Sequence, residues 1–172
     1  MRTGAVPFSS GRGGSSRHRA RLVTGESGDP QPPQLDIVLS SPGREPLPEE
    51  ALRRALASLL AREGVESGEL SVTFLADDPI RELNVRYLAH DWVPDVLSFS
   101  LAPPLLGDVY VGYDQARRQS VELAVPLDEE LVRLAVHGTL HLLGHEHPDD
   151  PAGREDSEMY QLQEAVVREV FG

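Results

Sequence analysis

The stretch Leu134–His147, LAVHGTLHLLGHEH, constrains this chain more than any other, because it holds four of the six histidines within eleven residues. His137 and His141 are four apart, so a helix stacks them one turn apart on a single face. Gly144 stands where a helix ends through a left-handed residue, a conformation that glycine adopts without steric cost. His147 follows six residues after His141, where the chain folds back and offers a third imidazole. The resulting pattern is H-x-x-x-H-x-x-G-x-x-H. Three neutral imidazoles with an open fourth position describe a catalytic zinc site rather than a closed structural one. Zinc is preferred to copper or nickel on availability and on a triad without thiolate or carboxylate. His145 is either a loop residue that supports a ligand or the third ligand in place of His147.

What the motif lacks narrows the chemistry. Zinc peptidases of the H-E-x-x-H type carry a glutamate directly after the first histidine as general base. Here that position is Gly138. The expected site activates water, and its expected substrate is not a peptide.

At 172 residues the chain suits one domain with a sizeable core. It has no cysteine, which excludes disulfides and thiol chemistry and is compatible with a reducing cytosol. No run approaches the length of an apolar membrane span, and the expected location is cytoplasmic. All sixteen cationic side chains are arginine, for which the sequence offers no functional reason. Residues 1–34 carry five of them (Arg2, Arg12, Arg17, Arg19, Arg21) against Glu26 and Asp29, in a Gly-, Ser- and Pro-rich context. That segment reads as a disordered tail or an overextended start. Residues 35–172 then form the folded domain, with eleven Arg against twenty-six Asp and Glu, a formal −15. Such an acidic body argues against non-specific nucleic-acid binding, so a polyanion must find a local basic patch or a metal.

Hydrophobic periodicity predicts strands at Leu35–Ser40, Glu69–Ala76, Asp95–Ser100 and Leu105–Gly112, with an irregularity at Gly107-Asp108. Helices are predicted at Glu49–Arg62, from Asp77 or Asp78 (one of them the cap) to about Tyr87, at Tyr113–Val121, Leu127–Leu143 and Arg154–Phe171. Leu83 and Tyr87 are the expected apolar face of the second helix. The third and fourth strands are expected to pair as a hairpin across Pro103-Pro104. The fold class is therefore α/β, an α+β sandwich with one mixed four-stranded sheet and about five helices, one a metalloprotease-like zinc helix.

With those elements placed, HGTLHLLGHEH resembles the signature H-G-x-L-H-L-x-G-H-D-H of the YbeY family of bacterial rRNA maturation factors. Leu83-Asn84 with Tyr87, DVLSF at Asp95–Phe99, and LGDVYVG at Leu106–Gly112 resemble further blocks of the same family. The resemblance runs through residues 35–172. It implies a zinc-dependent, single-strand-specific endoribonuclease acting in 16S rRNA 3′-end processing and ribosome quality control, with single-stranded rRNA and ribosomal particles or proteins as partners. It also implies that His137, His141 and His147 hold one Zn2+ per chain. The chain departs from the family pattern at Leu88, where an arginine usually follows the tyrosine, at Val93-Pro94 for the usual P-T, and at Glu146 for the aspartate of H-D-H.

A metal there would acidify water and polarise a phosphoryl oxygen. Glu146, His145 or Asp108, in that order, are the candidates to take the proton. Arg86, Arg81 and the pair Arg117-Arg118 are the arginines left to meet phosphate, since guanidinium matches phosphate oxygens in a bidentate way. Ser98 and Phe99 are expected to wall the substrate groove, and Tyr110 and Tyr113 are candidates to stack bases.

Overall fold

The computed structural model describes residues 34–103 and 105–172. The expected N-terminal tail, all but its last residue, and Pro104 of the hairpin link lie outside the described residues. Four strands, β1 (Leu35–Ser40), β2 (Gly68–Leu75), β3 (Val96–Ser100) and β4 (Leu105–Gly112), form one sheet in the order β1-β2-β4-β3. The β1/β2 and β2/β4 pairs are parallel and β3 runs antiparallel to β4, so the sheet is mixed. Parallel neighbours need a crossover. The helix α1 (Glu49–Arg62) supplies it between β1 and β2. The remaining helices are α2 (Asp77–Leu88), α3 (Tyr113–Leu123), α4 (Leu127–Leu142), α5 (Pro151–Glu155) and α6 (Glu158–Phe171).

Strand alternation assigns the two faces of the sheet different roles. Leu70, Val72 and Phe74 of β2 and Val109 and Val111 of β4 are buried on one face. Against them pack Leu52, Leu56, Leu59 and Leu60 of α1, Leu131, Leu134 and Ala135 of α4, and Met159 and Val166 of α6. The other face carries Ser71, Thr73, Asp108 and Tyr110, and α2 lies against part of it.

The approach of α4 to the sheet is set by one residue. A Cβ on Gly138 would meet Val109 Cγ1 at 2.5 Å and Val96 Cγ2 at 2.6 Å. The helix therefore lies on β3 and β4 as closely as its backbone permits. Ser98 Oγ donates to the Gly138 carbonyl at 2.7 Å and fixes that contact. The position that carries the general base in H-E-x-x-H peptidases is here filled by the sheet.

Four expectations need correction. There are six helices among the described residues, because the region expected as Arg154–Phe171 divides. Asp150 caps α5 through Gly153 N, and Ser157 caps α6 through Tyr160 N. Two successive caps start two helices, and the 3.6-residue period of the second runs only from Met159. Secondly, α2 buries Ile80 and Asn84, whereas Tyr87 is 59% exposed. Asn84 tolerates burial because its Nδ2 donates to the Trp92 carbonyl at 2.9 Å. Neither Asp77 nor Asp78 caps that helix; Asp114 of α3 accepts from Asp77 N across the fold. Lastly, the irregularity in β4 falls one residue earlier than expected. Glu69 faces Leu105 while Leu70 faces Gly107, so Leu106 is the extra residue. Gly107 takes φ +155° there, with Phe99 O and Leu142 crowding the place of a side chain.

Candidate metal centre

The helix that carries the first two histidines ends in a way that also builds the third. Gly144 takes φ +94°, Gly144 N donates to His141 O at 3.0 Å, and His145 N donates to Leu140 O at 3.0 Å. This pair of bonds is the Schellman ending. It turns the chain back so that the His145 carbonyl meets the ring it has just passed, His141 Nδ1, at 3.0 Å. His147 then comes to rest 5.1 Å, centroid to centroid, from both His137 and His141.

Hydrogen bonds at the far side of each ring determine what the near side offers. His137 Nδ1 faces Gln163 Oε1 at 2.8 Å, and His147 Nδ1 faces Pro148 O at 2.9 Å. All three partners, with His145 O, are oxygens that accept only, so the network assigns the proton to Nδ1 in every ring. Each Nε2 is left with a lone pair. The Nε2 atoms of His137 and His141 are 3.1 Å apart, and with His147 the ligand atoms all lie within 4.8 Å of one another. Two unprotonated nitrogens at 3.1 Å make no hydrogen bond. Their spacing is near the roughly 3.3 Å kept by two ligands of a tetrahedral ion with bonds of about 2.0–2.1 Å. These three histidines are a set that can hold a metal ion.

Burial reinforces the neutral form. It pushes the His137 imidazole down to about 4, with the His141 ring adding to the shift against the Gln163 hydrogen bond. Burial lowers His141 as well, against the bond to the His145 carbonyl. Both rings are thus unprotonated at neutral pH, the form that ligates.

Gln163 is itself held. Its Nε2 donates to Glu164 Oε1 at 2.9 Å, and Glu164 accepts from Arg133 Nε at 2.9 Å. Arg133 also binds Glu129 and Glu130, each at 2.7 Å. A polar chain therefore runs from α4 through α6 and back to the first histidine.

The other candidates are distributed unevenly. His145 Nε2 is paired with Glu63 at 2.8 Å, at the end of α1, so its side chain anchors the turn while its carbonyl orients His141. Glu146 is exposed and Asp95 half-buried, and both are close enough to His141 to act on its charge. Asp108 lies opposite Phe99 in the β3/β4 register, on the sheet face turned away from α4. Ser98 is committed to Gly138, and Phe99 packs edge-on against Tyr87 (5.3 Å) and Tyr110 (6.0 Å) on that far face. Tyr113 is buried with its hydroxyl on Pro46 O, so it offers no face for stacking. Arg81 pairs with Asp91, Arg118 with Asp77 and Arg117 with Asp114. Arg86 is exposed and, among the described residues, makes no ion pair. Leu88 is 44% exposed on the last turn of the same helix.

Comparison with known proteins agrees with this geometry. The family model described as Endoribonuclease YbeY matches residues 44–170. The chain belongs to the YbeY endoribonuclease family. Endoribonuclease YbeY of Chloroherpeton thalassium is 32% identical over 139 residues, covering 80% of this chain and 96% of that protein. The Bacillus licheniformis YbeY is 36% identical over 151 residues, covering 77% and 92%. The solution structure of TM1509 from Thermotoga maritima superposes with a TM-score of 0.56 at 26% identity, covering 79% of this chain and 89% of that one. Members so named are RNA-cleaving hydrolases, and the mixed sheet with its helical layer is shared with the solved neighbour.

Three residues of the site escape a reading of the sequence as a YbeY relative. Gln163 sits twenty-six residues from the histidine it orients, and Glu63 eighty-two from His145. Neither distance leaves a local pattern. Asp95 is legible as the start of a strand and of the DVLSF block, but not as a neighbour of the histidines.

Proposed function

We propose that this chain is a zinc-dependent endoribonuclease specific for single-stranded RNA, acting in the cytoplasm in 16S rRNA 3′-end maturation and ribosome quality control. The observation that carries this reading is the convergence of three imidazole lone pairs in a chain of the YbeY family. Each is freed by an Nδ1 hydrogen bond on its far side. A divalent zinc held by His137, His141 and His147 supplies Lewis acidity toward water and a phosphoryl oxygen.

The chain's own residues do the rest. Glu146, exposed beside His141, takes the proton of the attacking water, and Asp95 is the nearby alternative. Of the candidate arginines Arg81, Arg86, Arg117 and Arg118, Arg86 is the one without an ion pair among the described residues, and it is the guanidinium offered to a phosphate. Among the described residues no helix is long and apolar enough to cross a membrane. The acidic body leaves RNA capture to these local features and suits contact with basic ribosomal proteins.

The test is cleavage of single-stranded RNA by the purified chain with its zinc quantified. Wild type is expected to hold about one ion per chain and to cut, and His137→Ala to do neither. Metal-free wild type that cuts equally well would end this reading. A second reading, a zinc-stabilised assembly factor with little catalysis, is favoured by the exposed Leu88 and by the ion-paired state of Arg81, Arg117 and Arg118. It expects zinc-loaded wild type to be inert and Leu88→Arg to gain cleavage.

A further inference from the structure

The loop between α2 and β3 holds the only tryptophan of the chain, and it is held out rather than in. Trp92 is 56% exposed and stacks on His90 with ring centroids 4.2 Å apart and 17° between planes. An indole with one face on an imidazole and over half its surface in water turns its other face to solvent. The loop is also fastened from beneath. Buried Asn84 donates to the Trp92 carbonyl, His90 N donates to Asn84 O, and Asp91 is paired with Arg81. These bonds fix the backbone that presents the stack without using the aromatic side chains.

The exposure is clustered. Of the nine large apolar side chains exposed among the described residues, four (Val85, Tyr87, Leu88 and Trp92) fall within eight positions. Single exposed apolar residues need no explanation, whereas a cluster marks a contact surface. Exposed aromatic faces are what unpaired nucleobases require, because every base has a π-face. The place is also suitable. Trp92 is four residues before Val96, whose side chain adjoins Gly138, the neighbour of His137. Four residues of extended chain span at most about 14 Å, within the footprint of a short single strand. β3 is an edge strand, so no further strand among the described residues blocks that path.

We propose that the His90–Trp92 stack is a base-stacking subsite for single-stranded RNA. This deepens the ribonuclease reading and rests on it. Stacking on Trp92 holds a nucleotide outside the metal centre and so contributes to strand affinity rather than to the bond-breaking step.

The single tryptophan makes the test direct. The zinc-loaded, full-length protein is titrated with a short 2′-O-methyl oligoadenylate, checked afterwards for intactness, and with an abasic strand of equal length. The expected result is saturable quenching of Trp92 fluorescence by the oligoadenylate and not by the abasic strand. Anisotropy of a labelled oligoadenylate should show affinity falling about fivefold or more for Trp92→Ala and less than about twofold for Trp92→Phe. Because the loop is fastened through the Trp92 carbonyl, truncating the side chain leaves those bonds in place. If the strand binds and RNA is cut, but Trp92 is not quenched and Trp92→Ala binds as wild type does, the subsite is overturned and the ribonuclease reading stands. Equal quenching by the abasic strand also overturns it, since the contact would be to backbone alone. No binding of any strand, with no cleavage, takes down both.

Discussion

The two ends of α4 hold two clusters of ionisable groups treated in opposite ways. Toward its start, Arg133 is shared among Glu129, Glu130 and Glu164, with every side chain at most 21% exposed. The three carboxylates outweigh burial and raise the hold of Arg133 on its proton, and Arg133 in turn holds Glu164 below its ordinary range despite burial. Charge there is consumed internally. At the other end burial keeps His137 and His141 neutral, and all three imidazoles use their hydrogen-bonding capacity on one side only. A buried polar cluster that satisfies itself holds a fold together. One that directs its unused lone pairs at a common point is built to receive something.

The contrast breaks most sharply at the receiving end. Replacing His137 by Ala should abolish RNA cleavage and reduce metal affinity by more than the 10–100-fold that loss of an outer partner costs. Metal analysis and circular dichroism on the same sample check this, the spectrum remaining native. At the self-satisfied end the effects should reverse. Arg133→Met strands the carboxylates of Glu130 and Glu164, and breaking a buried pair in this way costs about 3–5 kcal/mol, toward the low end for groups that keep some solvent. The urea midpoint should fall clearly while the folded fraction still takes up zinc. If Arg133→Met leaves the midpoint unchanged, the claim that this cluster holds the fold fails.

Much of this division is written in the chain, and what is not has a physical reason. The His137–His147 spacing, the Gly144 turn and the strand alternation of β2 are local periodicities, so they survive without the fold. The packing role of Gly138 is invisible locally, because it depends on how near β3 and β4 come. Asn84 reads as a polar residue on a helix, and its burial follows only from the carbonyl that Trp92 turns toward it. The gap between α5 and α6 was concealed by the regular spacing of Met159, Leu162, Val166 and Val170, although Ser157 carried a cap signal. The aromatic contacts of Phe99 show the limit from the other side. Its place on the strand expected to flank the metal suggested a groove wall, but alternation along β3 sends it to the face opposite Ser98.

Gln163 joins the two ends and so sharpens the comparison at intermediate size. Gln163→Leu removes the acceptor that keeps the proton on His137 Nδ1, and metal affinity should fall about 10–100-fold with little change in thermal midpoint. Gln163→Glu, which still accepts, should restore most of it. Equal loss in both variants would mean that Gln163 merely packs.

Acid should expose the difference without any mutation. His137 sits at about 4 in the fold against an ordinary 6.5, so on acidification the unfolded chain takes its proton first. Stability from this ring is whole above pH 6.5 and is lost as pH falls through about 4, since stability rises with pH wherever the unfolded state binds more protons. His141, also lowered, acts in the same direction. In metal-stripped protein the urea midpoint should therefore drop between pH 6.5 and 4, and less steeply in His137→Asn.

The smallest effect is expected at the anchor beside the triad. His145 and Glu63 form one partly exposed pair, 27% and 24% open on the respective side chains, so Glu63→Gln should cost no more than about 1 kcal/mol. The pair nevertheless fastens the turn whose carbonyl orients His141. Zinc dissociation should therefore quicken measurably while the thermal midpoint hardly moves. A midpoint that falls with zinc release unchanged would place Glu63 and His145 with the cluster that holds the fold, and the boundary between the two halves of α4 would have to be redrawn past Gly144.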